Sequence, residues 1–347
     1  MKLWNFFKRS PDLVFISDQA DWIFDSIVES VSTELARQFR LKSQNVKNAA
    51  SFKGKLLHFI NRYAYFNGHF RQISPTNKVF VSWFHGSAND ADPNIRKLFD
   101  ELPATLPHLE KLVVSCSITR QNLIDARVSP DKLVTIPLGI DLNLFQPASP
   151  EQRLALRQKL GIPANALCIG SFQKDGQGWG EGNDPKPIKG PDVFLDVIAR
   201  VAPHYPNLMV MLTGPARGYV KQGLDKLGVR YLHHLLPTYA EVVPYYQILD
   251  AYVIASRVEG GPSALLESWA TGTPLVSSRV GMPADLIRHG ENGLLAEVEN
   301  PTALADHLQM LLEDTALRER CRQQALLDAQ HYSWAKIAAR YYHDLYT

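Results

Sequence analysis

The chain has 347 residues, enough for two domains of ordinary size, and 45% of them are apolar, as in globular proteins. Its three cysteines, Cys116, Cys168 and Cys321, are far apart and odd in number, which excludes a disulfide framework and favours a reducing, cytoplasmic compartment. No apolar run reaches the roughly 18 residues that span a bilayer, and residues 1–12 lack a cleavage site, so we expect neither a transmembrane helix nor a signal peptide.

The net charge of +2 is unevenly distributed along the chain. Residues 35–89, here called the basic segment, contain no aspartate or glutamate. Their nine basic residues are Arg37, Arg40, Lys42, Lys47, Lys53, Lys55, Arg62, Arg71 and Lys78. This segment could meet an anionic membrane surface or an anionic acceptor, or it could be a solvated helix face. We predict no nucleic-acid partner, because no known binding motif accompanies the charge.

In chain order, the first part of the sequence is typical of a doubly wound α/β domain. A buried strand at 13–17 precedes a helix at about 22–39 whose apolar residues recur four apart. Further strands are predicted at 78–83, 111–116 and 133–136, with helices at about 95–102 and 117–126. The strand at 78–83 leads directly into His85 and Gly86.

Two short patterns resemble metal sites, and we reject both. Asp90 and Asp92 have a D-x-D spacing, but the following Pro93 and Asn94 do not supply the strand context that a Mg²⁺ or Mn²⁺ site needs. The adjacent His233 and His234 have no third ligand at suitable spacing. The sequence therefore predicts no metal site and no cofactor.

A polar, helix-prone stretch at 149–163 is predicted to link a first domain, 1–148, to a second domain, 164–332. The second domain opens with a strand at 167–170 and an unusually long strand-to-helix turn at 171–190. The glycines of this turn do not fit G-x-G-x-x-G, so a dinucleotide fingerprint is excluded. Further strands are predicted at 208–212, 229–232, 251–255 and 275–277.

The segment 256–281 carries the most specific chemistry. A glycine-rich turn joins the strand 251–255 to a helix, an arrangement that aims free N–H groups near Gly260, Gly261 and Ser263 at an anion. Because Glu259 and Glu267 frame this anion site, and carboxylates repel phosphate, we expect both to bind hydroxyl groups. A nucleotide sugar has hydroxyls on both sides of its pyrophosphate. The alternative is a chance pair in which Glu merely compensates the helix dipole.

Longer stretches resemble one enzyme family. EGGPSALLESWATGTPLVSSRVG at 259–281, followed by GENGLL at 290–295, resembles the E-x7-E segment of family 4 glycosyltransferases. PLGID at 137–141 is similar to the turn that closes the family's first domain. The resemblance extends from about residue 79 to the end. It implies the GT-B fold, two facing Rossmann-like domains with a cleft between them and a C-terminal helix, 333–347, crossing back to the first domain.

The resemblance also implies a retaining, metal-independent glycosyltransferase that moves a sugar from a nucleotide-sugar donor to a saccharide or lipid-linked acceptor. Lys189 would neutralise the pyrophosphate, and His85 would face the donor sugar. Ser171 stands where the family usually has arginine, and we expect Lys174 to supply that charge. The catalytic residues would be Glu259, Lys189 and His85, and the donor-binding residues Lys174, Gly260, Gly261, Ser263, Glu267, Leu232 and His233.

Other departures from the family pattern are Met282, in place of a glycine, and Asp285, in place of a glutamate. They keep a non-catalytic nucleotide-sugar-binding subunit open as an alternative, beside a GT-B epimerase that needs no acceptor. Many family members work at the cytoplasmic membrane face. Together with the aromatic and basic residues within 4–9, the basic segment predicts reversible, peripheral association with an anionic membrane there.

Overall fold

A computed structural model describes residues 12–19 and 23–347, so the aromatic and basic residues within 4–9 lie outside the described part. The described chain forms two compact units. The first unit contains the described residues up to Ser115, together with Thr119–Ile136 and Trp334–Thr347. The second unit contains Cys116–Ile118 and Pro137–Ser333. No helix within the described residues is long and apolar enough to cross a membrane.

Strands and helices alternate along most of the chain. The strands are β1 (Leu13–Ile16), β2 (Ser43–Val46), β3 (Leu56–Phe59), β4 (Lys78–Ser82), β5 (Lys111–Val114), β6 (Leu133–Thr135), β7 (Leu167–Ser171), β8 (Leu208–Thr213), β9 (Arg230–His234), β10 (Ala251–Ile254), β11 (Leu275–Ser278) and β12 (Leu294–Ala296). The α-helices are α1 (Ile23–Phe39), α2 (Pro93–Thr105), α3 (Ser117–Asp125), α4 (Pro150–Lys159), α5 (Pro191–Val201), α6 (Gly218–Leu227), α7 (Val243–Ile248), α8 (Ser263–Thr271), α9 (Gly281–Leu286), α10 (Pro301–Glu313), α11 (Thr315–Ala329) and α12 (Trp334–Tyr341).

The first unit is built on a six-stranded sheet of order β2-β1-β3-β4-β5-β6. Every neighbouring pair is parallel, and all four residues of β1 are buried, as expected for a strand covered on both faces. The sequence did not predict β2 or β3. The edge strand β2 reads SQNV and lacks an apolar pattern, and β3 contains the fully buried His58.

His58 is accommodated inside the first unit by hydrogen bonds. Its ring nitrogens lie 2.5 Å from the Tyr346 hydroxyl and 3.0 Å from Ser82 Oγ. Burial lowers the pKa of His58 to about 3, so the ring is neutral at physiological pH. The contact also fixes the end of the chain on β3, and helix α12 packs against α1 in the same unit. The predicted return of the last helix to the first domain is therefore observed.

The second unit contains another parallel six-stranded sheet, of order β12-β11-β10-β7-β8-β9. Helices α5 and α10 contact one another in this unit. Phe194 and Val197 of α5 and Leu308 of α10 are fully buried in its core. Strand order reverses between β7 and β10, because β8 and β9 lie on one side of β7 and the later strands on the other. In open α/β sheets, ligands bind at the carboxyl ends of strands at such a reversal.

The boundary between the units differs from the predicted one. The first unit ends at Ile136, before the predicted position 148, and the stretch predicted as a linker, 149–163, contains helix α4 of the second unit. Arg157 explains this placement, because its buried side chain donates to the Ile248 carbonyl and to Asp250 Oδ2, both at 2.7 Å. These bonds attach α4 to the end of α7 and the start of β10.

Candidate active site at the carboxyl ends of β7 and β10

Two loops that are distant in sequence meet where the strand order of the second unit reverses. One follows β7 and ends at Lys189 and Gly190, and the other follows β10 and contains Glu259. Gly190 has a positive φ of 59°, and a Cβ atom there would lie 2.0 Å from the carbonyl oxygen of Ala255. Only glycine therefore allows the two loops to approach this closely.

The meeting of the loops creates an ion pair. Lys189 Nζ lies 2.6 Å from Glu259 Oε1, and Glu259 is only 9% exposed. The Ser256 hydroxyl lies 2.9 Å from the same carboxylate oxygen and 3.0 Å from Gln173 Oε1. Gln173 in turn donates to the Lys189 carbonyl at 2.7 Å. The structure thus brings Lys189 and Glu259 together, with Ser256 and Gln173 as partners that sequence analysis missed.

Helix α8 begins beside this ion pair. The structure starts the helix at Ser263, with Pro262 in the N-cap position. No side chain caps this end, so the first N–H groups of α8 have no intrahelical partner and remain suited to an anion. The Gly260 carbonyl accepts a hydrogen bond of 2.8 Å from the Met282 N–H, which fixes the turn before the helix.

The two unusual residues after β11 have structural partners. Met282 is 1% exposed, and its sulfur lies 3.4 Å from the backbone nitrogen of Leu138. Asp285 accepts a hydrogen bond of 2.7 Å from the Ser117 N–H and a second from the Ser117 hydroxyl. Both departures from the family pattern therefore serve contacts within the second unit.

Glu267 lies in very different surroundings from Glu259. Its carboxylate is buried, with Oε1 accepting from the Tyr239 hydroxyl and Oε2 from the Tyr246 hydroxyl at 2.6 Å. Burial raises the pKa of Glu267, and the two tyrosine hydroxyls oppose this shift. Tyr246 is buried, whereas 42% of Tyr239 is exposed, so of these two partners Tyr239 is the one that reaches the surface. No spacing in the sequence indicated these tyrosines.

The loop after β7 does not place Lys174 beside Ser171 as a replacement for the family's arginine. The Lys174 ammonium lies 3.4 Å from the centroid of the Trp179 ring, a cation–π contact, and burial lowers its pKa. The guanidinium that reaches Ser171 comes from Arg217, which donates to its carbonyl at 2.7 Å. Arg217 is fully buried and forms a bidentate pair with Asp175, with both N–O distances at 3.0 Å.

The remaining predicted residues lie at other strand ends. Leu232 and His233 belong to β9, which continues to His234, beyond its predicted end. His233 Nε2 lies 2.7 Å from the Gly214 carbonyl and must therefore carry the proton, and burial lowers the pKa of His233. His85 belongs to the first unit, is half-buried after β4, and accepts a hydrogen bond at its carbonyl from Arg62.

Carboxylates and histidines do not form a larger cluster in the part of the chain that the structure describes. No group of three or more histidine, cysteine, aspartate or glutamate residues there is arranged to hold a metal ion. Asp90 and Asp92, which have the D-x-D spacing, instead support the start of α2. Asp92 accepts from the Asn94 N–H at 2.8 Å, and Asp90 accepts from the Asp92 N–H at 3.0 Å.

The second unit contains the part of the chain that matches a known protein family. Residues 185–327 match the family model described as glycosyl transferases group 1. The D-inositol 3-phosphate glycosyltransferase of Corynebacterium efficiens is 30% identical over 224 residues, which are 61% of this chain and 50% of that protein. The protein of the same name from Thermobispora bispora is 29% identical over 266 residues, 72% of this chain and 58% of that protein. The chain thus spans about half the length of these curated relatives.

Solved structures share the fold along almost the whole chain. HepE from Anabaena, in complex with UDP and glucose, superposes with a TM-score of 0.77 at 17% identity, covering 97% of this chain and 100% of that chain. A glycosyltransferase from Rickettsia africae gives a TM-score of 0.72 at 13% identity, covering 97% and 98% of the two chains. The predicted α/β fold of the GT-B type is confirmed.

Proposed function

Since residues 185–327 of the second unit carry a glycosyl transferases group 1 domain, we propose that this chain is a glycosyltransferase with a nucleotide-sugar donor. The Lys189–Glu259 ion pair carries the proposal, because it lies at the strand-order reversal beside the uncapped start of α8. A cation, free N–H groups and a carboxylate are therefore adjacent. These are the groups that a pyrophosphate and a sugar hydroxyl require.

The donor is expected to exchange partners with the ion pair. Its pyrophosphate would bind Lys189 and the N–H groups of Gly260, Gly261 and Ser263, because both carry positive electrostatic potential. Glu259 would then lose its cation and accept a hydrogen bond from a sugar hydroxyl. Lys189 keeps an anionic partner in this exchange, because the donor replaces the carboxylate beside it, and Glu259 keeps the hydrogen bond from the Ser256 hydroxyl.

Residues on neighbouring loops, strands and helices are proposed to make the other contacts with the donor. We expect Lys174 to leave the Trp179 ring for a phosphate oxygen, and Glu267 to bind ribose hydroxyls after movement of the partly exposed Tyr239. The backbone at Leu232 and His233 would lie beside the nucleobase. In support, HepE, which shares this fold, has been solved with UDP and with UDP-glucose.

We propose transfer with retention of anomeric configuration and without a metal. The bond between C1 of the donor sugar and the phosphate oxygen breaks, and a bond from C1 to the acceptor oxygen forms on the same face. The proton of the acceptor hydroxyl passes to the leaving phosphate. Lys189 contributes by stabilising the negative charge that develops on that phosphate, and His85 by hydrogen bonding to the transferred sugar.

The acceptor is proposed to be a saccharide or a lipid-linked acceptor at the cytoplasmic membrane face. Seven of the nine basic residues in the basic segment are exposed, which supports contact with an anionic surface. Each basic side chain near such a surface contributes about 1 kcal/mol, so the association would be reversible and salt-sensitive. Co-sedimentation with anionic liposomes at low and high salt tests this, and no binding at low salt would reject it.

The proposed activity is tested in two steps. A thermal-shift panel of UDP, GDP, ADP and their sugars identifies the donor, because bound ligand raises the stability of the folded state. The stabilising nucleotide sugar is then incubated with and without acceptor extracts, and the products are separated. Acceptor-dependent release of nucleotide supports transfer, whereas an epimerised nucleotide sugar without acceptor indicates an epimerase. Binding without turnover under either condition indicates a non-catalytic subunit.

A further inference from the structure

One residue of the basic segment differs from the other eight. Arg37, Arg40, Lys42, Lys47, Lys53, Arg71 and Lys78 are exposed. Lys55 is half-buried and its ammonium lies 3.6 Å from Asp12 Oδ1. Arg62 is buried, with only 4% of its surface exposed. A surface that merely attracts anions does not require a buried arginine, so Arg62 needs a separate explanation.

Neutral groups surround the Arg62 guanidinium. Its Nη1 donates to the His85 carbonyl at 2.5 Å. The guanidinium carbon lies 4.9 Å from the Trp83 ring centroid and 5.4 Å from that of Tyr63, both within cation–π range. These contacts hold the side chain in one orientation, but none of them carries a full negative charge.

The three buried arginines of the described chain make the contrast clear. Arg157 pairs with Asp250 at 2.7 Å, and Arg217 pairs with Asp175 at 3.0 Å. No carboxylate oxygen in the described residues lies within 4.0 Å of the Arg62 nitrogens in the same way. A charge removed from water is strongly disfavoured unless it is paired. Among the residues that the structure describes, Arg62 alone of the three lacks a carboxylate at ion-pair distance.

Three described carboxylates at this end of the sheet accept hydrogen bonds from other groups. Asp90 and Asp92 attract Arg62 from beyond ion-pair distance, while their oxygens accept hydrogen bonds at the start of α2. Asp18, at the end of β1, accepts a hydrogen bond of 3.3 Å from the Asn61 side chain. Since residues 35–89 contain no acid, the segment around Arg62 offers no internal replacement.

Arg62 also lies at a favoured position of the fold. The strand order of the first unit reverses at β1, with β2 on one side and β3 on the other. Arg62 follows β3, and its partners Trp83 and His85 follow β4, so the guanidinium lies at the carboxyl ends of the strands. Tyr63, whose ring contacts the guanidinium, is 41% exposed, so the guanidinium lies next to a side chain that reaches the surface. Ligands of open α/β sheets bind at this edge.

We propose that Arg62 is the centre of an anion subsite on the first unit, which takes a phosphate or carboxylate group of the acceptor. The assignment to the acceptor rests on the proposed glycosyltransferase function, whereas the binding of an anion does not. Arginine suits this role because its planar fork donates two parallel hydrogen bonds to either group. The Trp83 and His85 contacts hold the fork in place before the ligand arrives.

The side-chain signal of Arg62 provides a local test. The 347-residue chain, labelled with ¹⁵N-arginine, is titrated with inorganic phosphate and, separately, with acetate, at constant ionic strength. The Nε–H resonance of Arg62 is identified by its loss in Arg62→Lys. It should shift and saturate at an anion concentration about tenfold lower than any saturation seen for the exposed Arg71, which packs on Phe70. Phosphate and acetate then distinguish a phosphate ester from a carboxylate.

Arg217 is the internal control, because its guanidinium is buried and already paired with Asp175. If the Arg62 resonance stays fixed like that of Arg217, or shifts without saturation like that of Arg71, the anion subsite is rejected. Nucleotide stabilisation measured on the same sample tests the proposed function separately. Stabilisation by a nucleotide without a response at Arg62 rejects the subsite alone. A response at Arg62 without binding of any nucleotide sugar rejects the glycosyltransferase alone.

Discussion

Glu259 and Glu267 lie eight residues apart in one segment, yet the fold gives them different chemistry. Glu259 lies in a loop and pairs with the flexible ammonium of Lys189, so a ligand can exchange with either partner. Glu267 lies on α8, buried beneath two tyrosine hydroxyls, where burial raises its pKa. The two glutamates of one E-x7-E segment can therefore play different roles. One forms an ion pair whose partners a ligand can exchange, and the other is a buried hydrogen-bond acceptor.

The largest expected effect comes from removing the exchangeable cation. Lys189→Ala should lower kcat by about 100-fold or more, because charge that develops on the leaving phosphate loses its stabilising group. Steady-state kinetics with the identified donor measure the change. Lys226→Ala, at the exposed end of α6, is the matched control and should retain activity. Wild-type kcat in the Lys189 variant would show that the ion pair is only structural.

The second prediction concerns the buried acceptor. Glu267→Ala should lower the free energy of unfolding by about 2–4 kcal/mol, because it leaves the hydroxyls of Tyr239 and Tyr246 without their acceptor and opens a cavity. Urea denaturation measures the loss. Glu267→Gln is the control, since it keeps the volume and one acceptor oxygen and should retain most of the stability. Equal stability of the alanine variant and the wild type would contradict the hydrogen bonds.

The third prediction follows from the raised pKa of Glu267, whose ordinary value is 4.5. When pH rises through that value, the unfolded chain releases this proton first, whereas the folded protein keeps it until its own higher pKa. The unfolded state then binds fewer protons, so this group lowers the stability of the fold across that window and above it. Each unit of pKa difference corresponds to about 1.4 kcal/mol.

Glu267→Gln isolates this effect, because glutamine does not titrate. Urea unfolding of both proteins between pH 4 and 8 should show the variant gaining stability relative to the wild type as the pH rises. A difference that stays constant over the whole range would mean that the folded state does not perturb the ionisation of Glu267. A raised pKa of Glu267 would then no longer distinguish it from Glu259.

The sequence predicted buried strands better than edge strands. Buried strands such as β1 and β10 were found because continuous apolar runs report burial directly. Strand β2 was missed because a short polar edge strand carries no such pattern. Long elements and the fold class are therefore predictable from local periodicity, whereas edge strands depend on pairing that the local sequence does not encode.

The same division holds at the candidate site. The glycine-rich turn before α8 and the closeness of Lys189 to Glu259 follow from motifs and from the meeting of strand ends. The pairing of Arg217 with Asp175 joins residues 42 positions apart. The contact between Tyr239 and Glu267 likewise joins different elements. No single-sequence spacing encodes these contacts, because they depend on how separate loops pack.

The smallest expected effect distinguishes the two tyrosines that close Glu267. In Tyr239→Phe, one carboxylate oxygen loses its protein donor near the surface, so a ribose hydroxyl can take that place without competition. We therefore expect the donor KM to fall about threefold with little change in kcat. The binding free energy that corresponds to this fall is smaller than the contribution of one hydrogen bond to a charged group. Tyr246→Phe is the matched control, because Tyr246 is buried and a ligand cannot replace its hydroxyl. That variant should lose stability without gaining donor affinity.

A rise in KM for Tyr239→Phe would instead assign its hydroxyl to donor binding and would remove the distinction between the two tyrosines.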